Sequence, residues 1–300
     1  MSGKASTPSG NPATLFYAAG GGQRLLRAGL GLLQRLGARP AAALAYQLFI
    51  TPTPSKLAAR RRPMPADWQP LHWQAGQRRL TAWLHRDSLA SRGPRPRVLL
   101  VHGWAGAAQQ MQPLAEDLWA VGFDPLLLDM PAHGHSEGWR SHLPEFVQVL
   151  QAAGERFGPL HGVVAHSLGA LAASQALARG LAARRLVLLA SSAPPRQVLA
   201  WFGASFGLGR DCLALLRRRL ENLSGGASLE VFEPAWLARH LRQPTLLLHD
   251  RDDRAAPLAA AQALAAALPD ARLQISAGLG HRRLLADART LAAVRAHLGE

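Results

Sequence analysis

Six short apolar runs along the C-terminal two thirds of this 300-residue chain constrain its fold more than any other feature. They are VLLVH (98–102), PLLLD (125–129), GVVAH (162–166), LVLLA (186–190), TLLLH (245–249) and RLQIS (272–276). In most of them apolar residues follow one another without a polar residue between, so both faces of the strand are expected to be buried. Stretches with helical spacing separate most of them, at 111–121, 146–157, 168–181, 258–268 and 285–298. Strands of this kind alternating with helices predict an α/β protein, a mostly parallel central sheet with helices on both faces. Ahead of the first run, LHWQ and RLTAWLH flank AGQR as a hairpin.

Two intervals depart from the alternation. Residues 195–243 carry helical patterns and no strand, which predicts a small helical cap inserted within one domain over 66–300. Residues 1–65 form an N-terminal extension: a Ser/Gly/Pro-rich start (1–15) expected to be disordered, a helix over 24–39, the apolar run AAALAYQLFI (41–50) and a Pro- and charge-rich linker (51–65). At about 100° per residue, Arg24, Arg27, Gln34, Arg35 and Arg39 fall on one side of that helix, with Leu25, Leu26, Leu30, Leu32, Leu33 and Leu36 opposite. A basic amphipathic helix either makes weak peripheral contact with a bilayer surface through 24–39 or packs its leucines on the rest of the protein, and both readings stand at this point. The 41–50 run is half the roughly 20 residues needed to cross a bilayer, and the start lacks the ordered regions of a signal peptide. Neither secretion nor a spanning helix is indicated; a cytoplasmic location is expected, with peripheral membrane attachment as the alternative.

In a parallel sheet, chemistry gathers at the carboxyl ends of the strands. Here VLLVH runs into GWAG, GVVAH into SLG, TLLLH into DRDDRAAP and RLQIS into AGLGHRRLL. Ser167, at the join of a strand and a helix, has two readings. It is an N-cap, for which serine is favoured, or it is a nucleophile exposed by a sharp turn, which needs a base, an acid and oxyanion donors elsewhere. The four motifs in this order resemble the α/β-hydrolase family of serine hydrolases, which includes esterases, lipases and thioesterases, over about residue 68 to the C-terminus.

That resemblance implies a role for each motif. The family's G-x-S-x-G elbow stands as Ala165-His166-Ser167-Leu168-Gly169, with Ala165 in the place of the first glycine, and implies Ser167 as nucleophile. His281, in Gly278-Leu279-Gly280-His281, matches the histidine loop and implies the base. Of three carboxylates, the pattern G-x-x-D-x-x-x-P selects Asp253 as the acid, with Asp250 in the glycine's place and Asp252 a solvated neighbour. Asp250 is then expected either to raise the acid's pKa or to sit in water. The backbone amides of Trp104 and Leu168 are the implied oxyanion donors, His102 a prop of that loop, and His166 structural. Asp129 to Ser136 reads DMPAHGHS and resembles the family's structural D-x-x-G-H-G-x-S turn, with Ala132 replacing a glycine. Trp201, Phe202 and Phe206 in the insertion either bind substrate or pack the cap onto the core.

The formal charge of +15 suggests a nucleic-acid partner at first sight, yet only Lys4 and Lys56 of the 34 basic residues are lysines. The basic residues are scattered and no helix-turn-helix, zinc-finger or aromatic RNA-binding pattern organises them, so no nucleic acid is expected. Cys212 stands alone, which excludes a disulfide framework and a thiolate zinc site. His133-Gly134-His135 lacks a carboxylate or cysteine at ligand spacing, so no metal is expected, and no cofactor. The expected partner is a small-molecule acyl substrate, and the expected reaction is cleavage of an ester or thioester through an acyl-enzyme. Peptidase, acyltransferase and carbon–carbon hydrolase chemistry are alternatives on the same fold, as is a catalytically silent protein used for binding. Nothing in the sequence specifies an oligomeric state.

Overall fold

The computed structural model describes residues 21–52, 55–88, 95–223 and 225–300, so the expected disorder of 1–15 lies outside the described residues. Three helices open it, α1 (Gly21–Leu36), α2 (Ala38–Phe49) and α3 (Ser55–Arg60), before the hairpin of β1 (Trp68–Ala75) and β2 (Arg78–His85). There follow β3 (Arg97–Val101), α4 (Gln112–Ala120), β4 (Asp124–Asp129), α5 (Leu143–Phe157), β5 (Leu160–His166), α6 (Leu168–Ala178) and β6 (Ala183–Leu189). The helices α7 (Pro195–Phe206), α8 (Arg210–Leu223) and α9 (Pro234–His240) fill the strandless interval. The chain closes with β7 (Thr245–Asp250), α10 (Leu258–Ala267), β8 (Ala271–Ser276), α11 (Gly280–Arg283) and α12 (Ala288–Gly299).

The eight strands form one sheet in the order β1-β2-β4-β3-β5-β6-β7-β8. β1, β2 and β4 are antiparallel neighbours; every pairing from β4 to β8 across the sheet is parallel. Successive side chains of a strand point to opposite faces, and the unbroken apolar runs use both. Leu99, Val101, Leu126, Leu128, Val163 and Ala165 enter one core with α5, α6 and α10. Val98, Leu100, Leu127 and Val164 enter the other with α4 and α12. Each is essentially inaccessible to water, so truncating one, as in Leu99→Ala, is expected to cost about 2–5 kcal/mol. RLQIS behaves differently because β8 is the edge of the sheet: its burial is patchy and Ile275 is exposed.

The extension departs from its expected form in two places. A single helix over 24–39 does not exist: Gly37, at φ +142°, breaks it into α1 and α2. The leucine face of α1 is divided. Leu30 is buried and Leu26 and Leu33 pack beside it against the cap, in a third core with Ala41, Ala45, Phe202, Phe206 and Leu216. Leu25, Leu32 and Leu36 face outward, 77%, 61% and 75% exposed. Polar side chains fix the seat: Gln34 donates to the Gly207 carbonyl at 3.0 Å and accepts from the Gly209 amide at 2.6 Å. The expected linker at 51–65 contains α3, whose Lys56 is buried and donates to the carbonyls of Ser136 and Gly138. No helix among the described residues is long and apolar enough to cross a membrane.

Candidate active site

β5 ends at the centre of the sheet and turns directly into α6. The turn holds Ser167 at φ +55°, ψ −120°, a backbone region that L residues occupy only when their surroundings enforce it. The enforcing contacts are close. The Ser167 amide donates to the Leu189 carbonyl at 2.9 Å and its carbonyl accepts from Ala170 and Ser192. A Cβ on Gly103 would lie 2.6 Å from the Ser167 Cβ, and one on Gly169 would lie 2.4 Å from the His102 carbonyl oxygen. Ala165 fits because its small side chain lies in the core. The N-cap reading of Ser167 does not hold, since its hydroxyl makes no capping bond to α6.

Instead Ser167 Oγ lies 3.1 Å from His281 Nε2, and His281 Nδ1 lies 2.7 Å from Asp253 Oδ2. Asp253 is buried in the loop after β7, its other oxygen accepting from the amides of Ala255 and Ala256 at 2.8 and 2.9 Å. Of the neighbouring carboxylates, Asp252 is exposed as expected, whereas Asp250 does not sit in water. Asp250 is fully buried and accepts from Ser276 Oγ at 2.7 Å and the Leu279 amide at 3.1 Å. Burial alone would raise its pKa, but hydrogen bonds from Gly280, Ser276 and Leu279 outweigh it and hold the carboxyl below its ordinary value. Asp252 accepts from the Gly278 amide at 2.8 Å. Both therefore fasten the loop that carries His281. His166, read as structural, has a direct link to the same residue: its Nε2 lies 2.9 Å from the His281 carbonyl. Burial, then the adjacent His281, holds the His166 pKa well below 6.5, so the ring is neutral and donates one N–H there.

Trp104 lies in the loop after β3, next to Gly103, which packs against Ser167, and Leu168 is the first residue of α6, where an N–H has no helical acceptor. Two buried histidines prop that loop. His102 Nε2 accepts from the Met130 amide at 3.1 Å and His133 Nε2 from the Ala105 amide at 3.0 Å. Burial lowers the pKa of both, that of His133 to about 3, so each ring stays neutral and can accept. The turn at 129–136 is organised by Asp129, which accepts from the amides of Ala108 and His135 and from Trp83 Nε1. Those duties occupy His133, and no cluster of three or more metal-ligating side chains exists among the described residues.

Ser167, Trp104 and Leu168 open onto a cavity of about 90 Å³ whose lining is overwhelmingly apolar. Of the aromatic residues of the insertion, Trp201 lines it, with Pro195 and Val198 from the same helix. Phe202 and Phe206 do not: they are fully buried in the core shared by the cap and the N-terminal helices. Sequence reasoning missed Phe49 and Ile50, the end of α2, which line the cavity from the extension. The signal available was slight, an apolar run ending in Phe-Ile ahead of a proline-rich stretch.

An elbow serine at the end of a central parallel strand, a histidine loop after the last strand and a carboxylate after the one before it are arranged as in serine hydrolases of the α/β-hydrolase fold, which is the fold of this chain. Residues 92–228 match the profile of a family described as serine aminopeptidase, S33. A pimeloyl-(acyl-carrier protein) methyl ester esterase from Xanthomonas campestris pv. campestris is 29% identical over 241 residues, spanning 67% of this chain and 93% of the relative. Among solved structures, the Est1E protein of Butyrivibrio proteoclasticus with ferulic acid bound superposes with a TM-score of 0.61 at 18% identity, over 77% of this chain and all of the other. The Pyrococcus furiosus esterase Pf2001 gives 0.58 at 18% identity, over 79% and 93% of the two chains.

Proposed function

We propose that the protein is a serine esterase working through an acyl-enzyme. Ser167 Oγ attacks the ester carbonyl while His281 Nε2 takes its proton, and Asp253 orients the ring and stabilises the imidazolium. The negative charge that develops on the carbonyl oxygen is held by the amides of Trp104 and Leu168. Collapse of the tetrahedral intermediate releases the alcohol, protonated by His281. Water then attacks the acyl-serine with His281 again as base, giving the carboxylic acid and free Ser167. The observation that supports this reading is the continuous relay from Asp253 through His281 to Ser167, at 2.7 and 3.1 Å, opening into an apolar cavity. Two of the similar proteins are named esterases, which supports an oxygen ester, while the description of the matched family, a serine aminopeptidase, names an amide. A fluorophosphonate probe is expected to label Ser167, and Ser167→Ala to abolish both labelling and p-nitrophenyl ester hydrolysis while retaining the wild-type circular dichroism spectrum. Labelling that survives in the variant overturns the assignment.

The location we propose is a peripheral one, at an anionic membrane surface. It is supported by the outward row of Leu25, Leu32 and Leu36 on α1, with Arg24, Arg35 and Arg39 also exposed on this segment. An apolar row within a basic surface suits an anionic bilayer interface, and binding of that kind weakens with salt. Co-sedimentation with phosphatidylglycerol vesicles is expected for the wild-type chain and reduced by the triple change of Leu25, Leu32 and Leu36 to Gln. Equal sedimentation of the two removes the membrane reading.

A further inference from the structure

The cavity holding Ser167 is not enclosed by the sheet, its crossover helices and the cap alone. Phe49 and Ile50 line it with Trp201 and Val198 of α7. These two residues are built into place. The Ile50 carbonyl accepts from the Ser141 amide at 2.9 Å, which ties the end of α2 to the loop that leads into α5. Phe49 meets Phe202 edge to face, ring centroids 5.1 Å apart, so its ring joins the cap core as well as the cavity. Beyond Ile50, α3 is held by Lys56 and by Arg60, whose Nε donates to the Gly134 carbonyl at 3.2 Å.

The lining also specifies what can enter. Among the described residues it includes no Lys, Arg, Asp or Glu, and beyond Ser167 its polar side chains are Ser141, His142, Ser192 and the indole of Trp104 or Trp201. His142 Nδ1 accepts from the Glu145 amide at 3.1 Å, and burial lowers the pKa of the ring, so it offers a neutral N–H and not a cation. A carboxylate on the acyl chain would be stripped of water there without a cation to meet it, a large penalty.

We propose that Phe49 and Ile50 form a wall of the acyl subsite and set the length of an uncharged acyl group, so that the N-terminal extension is part of the substrate site. The proposal rests on the esterase reading. Removing atoms from the wall enlarges the space next to the chain and adding them shrinks it, and each methylene gained or lost in such a pocket changes the specificity constant by about tenfold or more.

The test measures kcat/KM for p-nitrophenyl esters from butyrate to decanoate, and for the adipate monoester beside the hexanoate, in wild type, Phe49→Leu, Ile50→Ala and Phe49→Trp. Active centres are counted with a fluorophosphonate. Phe49→Leu and Ile50→Ala are expected to raise the decanoate-to-butyrate ratio on the order of tenfold, Phe49→Trp to lower it, and wild type to prefer hexanoate over the adipate monoester at least as strongly. A general loosening of the fold would not move the Leu and Trp variants in opposite directions. Unchanged chain-length ratios in all three labelled variants, or equal use of the charged ester, overturn this proposal alone. A wild-type protein that neither labels nor hydrolyses any ester overturns the esterase reading and this with it.

Discussion

At the residue scale, three carboxylates within four positions have been separated by the bonds each makes. Asp253 holds His281 Nδ1, while Asp250 and Asp252 accept from the amides and hydroxyl of the loop behind it. Asp253→Asn is expected to lower turnover by about four orders of magnitude with little change in KM, the effect of a misaligned or wrongly protonated imidazole. Asp252→Asn, which keeps an oxygen for the Gly278 amide, is expected to stay within about tenfold of wild type. Steady-state kinetics on the two variants check both, and a reversal would move the acid by one residue. The contact between Asp253 and His281 was expected from the resemblance of DRDDRAAP to the family's loop pattern. The clamping role of Asp250 and Asp252 was not, because it depends on which amides the His281 loop turns inward, and no local pattern records that.

At the element scale, the loop after β3 works by close approach. Gly103 lets the backbone beside Trp104 pass within contact of Ser167; a methyl group there would meet the serine Cβ at 2.6 Å. Gly103→Ala is expected to lower kcat by 100-fold or more, on the order of the loss of an oxyanion donor. The expected change in unfolding free energy is smaller in consequence, about 1–3 kcal/mol. Comparing kcat with a urea midpoint separates the two effects, and an active Gly103→Ala enzyme would show that the loop has room to shift. The strands and crossover helices were legible from apolar runs because burial on two faces leaves an unmistakable pattern in VLLV or LLL. The division of α1 was not: helical spacing gives the angle of Leu25 and Leu30 but not which of them finds a partner, and the partner, α7, lies about 170 residues downstream. Gly37 was equally silent, since a glycine inside a helical pattern is tolerated unless the chain turns there.

At the scale of the whole molecule, the site is supported by imidazoles that cannot charge. His102, His133 and His166 are all buried, and burial lowers each pKa from 6.5, that of His133 to about 3. In the unfolded chain the same rings titrate near 6.5. Between about pH 3 and 6.5 the unfolded state therefore binds more protons than the native one, so stability rises with pH across that window and is lost as the pH falls through it. Urea midpoints measured from pH 7.5 to 4.5 are expected to decline steadily below 6.5, and a flat profile would mean that these rings protonate in place. Activity lost over the same range and recovered on refolding at pH 7.5 reports that unfolding.

The third core brings the order of synthesis into the problem. Phe49 packs on Phe202, and α1 and α2 on α7 and α8, so helices made first find their partners only after some 150 more residues have left the ribosome. At about 5–20 residues per second that interval is roughly 8–30 s. Throughout it the nascent chain carries an unsatisfied apolar face with a row of arginines beside it, exposed to whatever the emerging polypeptide meets before its own cap arrives.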